Sequence, residues 1–123
     1  KTSYDVFEIG KDFDVIGIDE IQFFDNEIIS VCNSLANNGV RVIAAGLDMD
    51  YLGNPFGPMP NLMAIAEYVT KVHAVCSETG NIANYSYRKK KKDSIILIGE
   101  EDEYKALSRE VFFKKMNTKK KKT

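Results

Sequence analysis

Residues 13–45 constrain the fold more than any other stretch of the chain. Phe13 to Ile18 reads FDVIGI, a short apolar run that ends in Asp19-Glu20. Such runs suit strands buried on both faces of a parallel sheet. Ile28, Val31, Cys32 and Leu35 follow at i, i+3, i+4 and i+7, which places them on one face of a helix. Asp25 or Asn26 can cap its start, and Asn38-Gly39 supplies its stop. Val40 to Ala45, VRVIAA, reads as a second buried strand. Strand, helix and strand at this spacing predict a βαβ unit, with a parallel sheet and a right-handed crossover. Ligands of such sheets bind beyond the carboxyl ends of the strands. Sequence order thus brings Asp19, Glu20, Leu47 and Asp48 to one rim.

Beyond this unit the pattern changes. Leu52 to Pro60 holds three prolines and two glycines, a shaped loop and no regular element. Asn61 to Tyr68 predicts a short helix with Leu62, Ile65 and Ala66 inward. Val69 to Cys76 and Ile82 to Arg88 alternate as strands do, about a turn at Glu78 to Asn81. Ser94 to Gly99 reads as a further strand, with the lysine run 89–92 at the tip of a second hairpin. Residues 100–116 carry no clear periodicity. The expected organisation is a partial α/β core over 1–68, an antiparallel hairpin subdomain over 69–116 and a disordered basic tail over 117–123.

Composition excludes several classes. The 123 residues suggest one domain, and a net charge of −1 gives no general attraction to nucleic acid. The basic runs 89–92 and 119–122 read as solvated loop or tail. No apolar run reaches the roughly 18 residues of a membrane span, and Asp5, Glu8, Lys11 and Asp12 break any signal-peptide stretch. Cys32 and Cys76 form no C-x-x-C pair, so the sequence offers neither a metal site nor a disulfide framework and fits a reduced cytosolic compartment. A start at Lys1, without an initiator Met, fits a fragment or a processed chain.

The chemistry centres on Asp19-Glu20. An Asp at a strand end suits magnesium, directly or through water, and a Glu beside it can take a proton from an attacking hydroxyl. An acidic pair that merely opens a loop is the plainer alternative. Phe23 can stack on a flat base or anchor the following helix. Asp48-Met49-Asp50-Tyr51 suits a polar ligand, although a turn with a packed Tyr is the simpler account of it. His73, the single His, reads as a partly exposed structural residue. No G-x-x-x-x-G-K-[ST] phosphate loop occurs in the chain.

Together these segments resemble the thymidine kinase family, in the form found in Bacteroidetes-type bacteria. The matching stretches are DVIGIDEIQFF (14–24), VIAAGLDMDYLGNPFGPMPNL (42–62), EYVTKVHAVC through NYSYR (67–88) and IGEEDEYKALSREVFFKK (98–115). The resemblance implies a P-loop NTPase, RecA-like parallel core whose N-terminal part lies upstream, followed by a lasso of hairpins that closes on the nucleoside. It implies transfer of phosphate from ATP to the 5′-hydroxyl of thymidine. Glu20 takes the position of the general base, and Asp19 that of the Walker B aspartate, a magnesium ligand. Asp19 and Gln22 fall on the cofactor side. Phe23, Leu47, Met49, Tyr51, Ser86 and Tyr104 fall at substrate positions. ATP with Mg2+, dTTP as feedback inhibitor, a homotetramer and a cytoplasmic location follow from the same resemblance, with no nucleic-acid or membrane partner.

Two departures from the family pattern stand out. Many members hold a structural zinc with two C-x-x-C pairs, whereas here Cys76 is accompanied by Thr79, Ser108 and Val111 at the other three ligand positions. One thiolate does not hold a structural zinc, so none is expected. The phosphate loop is the second departure, and it leads to the expectation of an incomplete chain without ATP-dependent turnover of its own. The alternatives are a non-catalytic nucleoside-binding fragment and a helicase-type ATPase bearing the same Walker B residues. Neither lysine run matches the family.

Overall fold

The computed structural model describes residues 2–89 and 104–121. They form two compact units, the first comprising Lys1–Asp48 with Pro55–Val69 and the second Met49–Asn54 with Thr70–Thr123. The elements are four helices and three two-stranded sheets among the described residues, an α/β composition.

The first unit opens with helix α1, Ser3–Gly10, which sequence periodicity alone does not announce. Its signal is local. Thr2 accepts a hydrogen bond from Asp5 N, and the Asp5 carboxylate accepts one from Thr2 N, a reciprocal capping box. Gly10 ends the helix where a Cβ would stand 2.6 Å from Ile16 Cδ1, so the absence of a side chain admits the next strand.

Strands β1, Val15–Ile18, and β2, Arg41–Ala44, pair in parallel with Ile16 opposite Val42 and Ile18 opposite Ala44. Between them runs helix α2, Glu27–Asn37, which buries Ile28, Cys32 and Leu35 as the spacing requires. Asp25 secures its start, accepting from Glu27 N and from the buried Ser3 hydroxyl of α1. Gly39, at φ 89°, ends it. Ile18, Ile21, Ile28, Cys32 and Leu62 make the core, flanked by Ile16, Val42 and Val6.

The expectation that both strand faces are buried needs correction. Val15 and Ile43 are more than half exposed. Alternation along the strands puts them with Gly17 on the face opposite Ile16, Ile18 and Val42, and within this unit the packed apolar residues gather on that latter face. The third helix also differs. It spans Met59–Ile65, begins on the Pro58–Pro60 segment and buries Leu62, while Ile65 is 38% exposed and Ala66 is already extended. The missing-NH prolines favour the first turn of a helix, which moves the start two residues earlier.

In the second unit β3, Ala74–Val75, pairs antiparallel with β4, Ile82–Ala83, across the turn that Glu78 to Asn81 signals. Residues 69–73 form no strand, so the first arm is shorter than its alternation suggests. Strand β5, Tyr85–Arg88, pairs antiparallel with β6, Tyr104–Leu107. The strand expected at 94–99 and the lysine tip at 90–92 lie outside the described residues. Helix α4, Arg109–Lys121, continues past residue 117, where a disordered tail is expected from charge alone. Lysine is a good helix former, and a helix already nucleated against β5 and β6 extends into it at little cost. Tyr85, Leu107, Phe112, Cys76 and Ala83 form the core, with Phe112 stacked on Tyr85 at 4.6 Å between ring centroids. Gly53 joins it from residues 49–54, where a Cβ would meet the Phe112 ring at 3.4 Å.

Candidate functional site

At the carboxyl end of β1 the chain turns sharply. Ala45 N donates to Ile18 O at 2.9 Å, and Ile21 N donates back to Ala45 O at 3.0 Å. The two strand ends are thus clasped, and Asp19-Glu20 bulges out between the clasps. Glu20 absorbs the turn in the left-handed region, φ 53° and ψ 42°, the single described non-glycine residue with positive φ. That conformation costs a residue with a Cβ roughly 1–2 kcal/mol, and such strain is retained where function fixes the side chain. Asp19 supports it, one carboxylate oxygen accepting from Glu20 N at 2.9 Å. Both acids are exposed at the rim.

Gln22 sits beneath them, 2% exposed. Its Nε2 donates to Glu20 Oε1 at 2.8 Å, and its Oε1 accepts from Leu47 N at 3.1 Å. The amide is turned into the protein, and both its polar atoms are engaged there. Gly46 makes room for the amide, and Gly57 for the main chain of Gln22. A Cβ on Gly46 would stand 2.7 Å from Gln22 Oε1, and one on Gly57 would stand 2.7 Å from the Gln22 carbonyl oxygen.

Phe23, next in sequence, points out and is 70% exposed, too exposed to anchor a helix. Phe56, from the proline- and glycine-rich loop, meets it edge-on at 5.4 Å. Phe56 was not singled out from the sequence, where its flanking Pro55 and Gly57 read only as loop. Leu47 is 52% exposed at the end of β2. The structure of the first unit thus brings Asp19, Glu20, Gln22 and Leu47 together at one rim, with Phe23 beside them.

Four expected site residues belong to the second unit. Ser86 and Arg88 share a face of β5, Arg88 is the register partner of Tyr104 and Ser86 is its diagonal neighbour. The Arg88 guanidinium lies 5.2 Å from the centre of the Tyr51 ring. Arg88 is a residue the sequence reading passed over, being one cation beside a lysine run. Met49 packs against the core of this unit, a structural contact. Asp50 shapes the turn: its Oδ1 accepts from Leu52 N and Asn54 N, both at 2.9 Å, which favours the simpler of its two readings.

Cys76 is 2% exposed and lies near Thr79 and Ser108. Burial raises its thiol, but the Thr79 hydroxyl and the backbone amides of Ser108, Glu78 and Thr79 outweigh this and bring it down to about 6. Glu78 faces Lys115 at 3.2 Å and Lys105 at 3.6 Å, and Lys115 first among them holds its carboxyl below the ordinary range. Among the described residues no group of three or more His, Cys, Asp or Glu stands together as a metal site, and no helix is long and apolar enough to cross a membrane.

A parallel strand pair with a strained acidic turn at its carboxyl edge defines an α/β protein with a candidate ligand site at the strand ends. A sequence model of the thymidine kinase family matches residues 2–112. The chain is 57% identical over 103 residues to a thymidine kinase of Bacteroides thetaiotaomicron, covering 84% of this chain and 52% of that protein. It is 58% identical over 101 residues to one of Bacteroides fragilis, covering 82% and 51%. A thymidine kinase of Porphyromonas gingivalis is 50% identical over 112 residues, covering 91% and 55%. The chain belongs to the thymidine kinase family. It spans about half the length of these curated relatives.

Proposed function

We propose that the protein carrying this chain transfers the γ-phosphoryl group of ATP to the 5′-hydroxyl of thymidine. The observation that carries the proposal is the Glu20 carboxylate, held by a left-handed backbone and a buried amide at the exposed end of β1. One of its oxygens, Oε1, is engaged by Gln22. Oε2 is then the atom that accepts the proton of the attacking hydroxyl. Phe23 offers an exposed ring on which a pyrimidine stacks, with Phe56 bracing it from the side.

Asp19 fits magnesium by its donor chemistry. Mg2+ takes one or two carboxylates and completes its shell with waters and phosphate oxygens, and Asp19 is an exposed carboxylate at a strand end. The ion supplies charge neutralisation on the phosphates when bound. The substrate contacts implied for Leu47, Met49, Tyr51, Ser86 and Tyr104 belong to this proposal, as do the RecA-like core, the absence of a structural zinc, inhibition by dTTP, a homotetramer and a cytoplasmic location. Family membership supports each of these except the absence of zinc, which rests on Thr79, Ser108 and Val111 standing with Cys76 at the ligand positions.

The test offers ATP–Mg2+ with thymidine and deoxycytidine side by side. Thymidine-selective transfer that Glu20→Gln abolishes, with thymidine binding retained, is the expected result. Full transfer by Glu20→Gln overturns the assignment of the base.

A further inference from the structure

We propose that Gln22 is a positioning residue for the reaction: its buried carboxamide fixes the Glu20 carboxylate and ties that carboxylate to the backbone at Leu47. The inference rests on the reading of Glu20 as the base.

Four observations carry it. First, the orientation of the amide is determined by chemistry. Leu47 N–H is a donor, so the atom facing it at 3.1 Å must be the oxygen of Gln22. The nitrogen then faces the Glu20 carboxylate, which accepts. A flipped amide would set N–H against N–H on one side and oxygen against oxygen on the other. Second, the side chain is almost wholly buried, so water cannot take over either bond. Third, the surrounding backbone is cut to fit: a Cβ on Gly46 would stand 2.7 Å from the carboxamide oxygen, and one on Gly57 would stand 2.7 Å from the main-chain oxygen of Gln22. Fourth, Glu20 is held in a strained backbone conformation, which needs something to hold the side chain in return.

The arrangement makes a relay of two bonds. Leu47, itself half exposed beyond the end of β2, lies one amide away from the proton-accepting group beyond the end of β1. Movement of the backbone at Leu47 displaces Gln22 and with it Glu20. A misplaced base loses rate without losing substrate affinity.

Two measurements test this. In the 123-residue chain, the Gln22 side-chain amide proton resonances are compared by NMR with those of Glu20→Ala. The proton donated to Glu20 should resonate downfield and exchange more slowly with water in the unaltered chain; resonances and exchange that are the same in both overturn the contact. In the protein that carries the activity, Gln22→Met keeps the shape and removes both bonds. The expected result is a fall in kcat of about 10- to 100-fold with thymidine KM within about 2-fold. Unchanged kcat alongside an inactive Glu20→Gln overturns the inference and leaves the base assignment standing, whereas an active Glu20→Gln overturns the base assignment itself.

Discussion

Phe23 stands edge-on to Phe56, with ring centroids 5.4 Å apart and planes at 90°. One ring comes from the turn after β1 and the other from the loop before α3, so the pair fixes an exposed aromatic plate beside Glu20. If this plate receives the base, Phe23→Ala should weaken thymidine binding by about 1–3 kcal/mol. Phe56→Ala should cost less, because it releases the plate without removing it. Calorimetric titration with thymidine measures both, and equal affinity in Phe23→Ala and wild type would refute stacking.

Gly57 and Gly39 both have positive φ, at 48° and 89°, yet differ in what a side chain would meet. Nothing lies within 4 Å of a Cβ on Gly39, so Gly39→Ala should cost only backbone strain, about 1 kcal/mol. Gly57→Ala adds a clash with the Gln22 carbonyl at 2.7 Å. It should cost clearly more and disturb the Glu20 turn. Urea unfolding of the two variants decides, and equal losses would count against the close approach.

Phe112 is 1% exposed and Phe113 44% exposed, one position apart on α4. Phe112→Ala should destabilise the second unit by about 3–5 kcal/mol. Phe113→Ala should cost a fraction of that. A reversed order in denaturant melts would mean that α4 docks through a different face.

Cys76 gives the second unit a pH dependence of definite sign. Its ordinary value is 9.0, and the fold brings it to about 6. Between these values the folded thiol is deprotonated and the unfolded one is not, so the unfolded state binds more protons. The stabilisation is fully present above pH 9 and is lost as pH falls through about 6. Thiolate absorbance titration should place the transition near the lower value, and Cys76→Ala should flatten the stability profile between the two. A profile unchanged by that substitution would refute the thiolate.

Much of the first unit was legible in the residues. Apolar spacing in α2, the Asn38-Gly39 stop and the two short apolar runs each report local backbone preference, which acts over a few residues. The acidic pair at the end of β1 was legible for the same reason, since strand ends are where such sites form. Helix α1 was missed because a capping box, and no apolar stripe, announces it.

The sequence by itself determined the βαβ order, the family and the identity of the acids. Only the tertiary structure decided what those acids lean on. That Gln22 turns inward, that Gly46 and Gly57 clear space for it, and that Phe56 meets Phe23 all depend on residues some 24 to 35 positions apart in the chain. Such contacts are set by packing of the whole unit and leave no periodic trace in any one segment. The pairing of β5 with β6 escaped for the same reason. Strands this short carry too few alternations to declare a partner, and burial against Phe112 selects it.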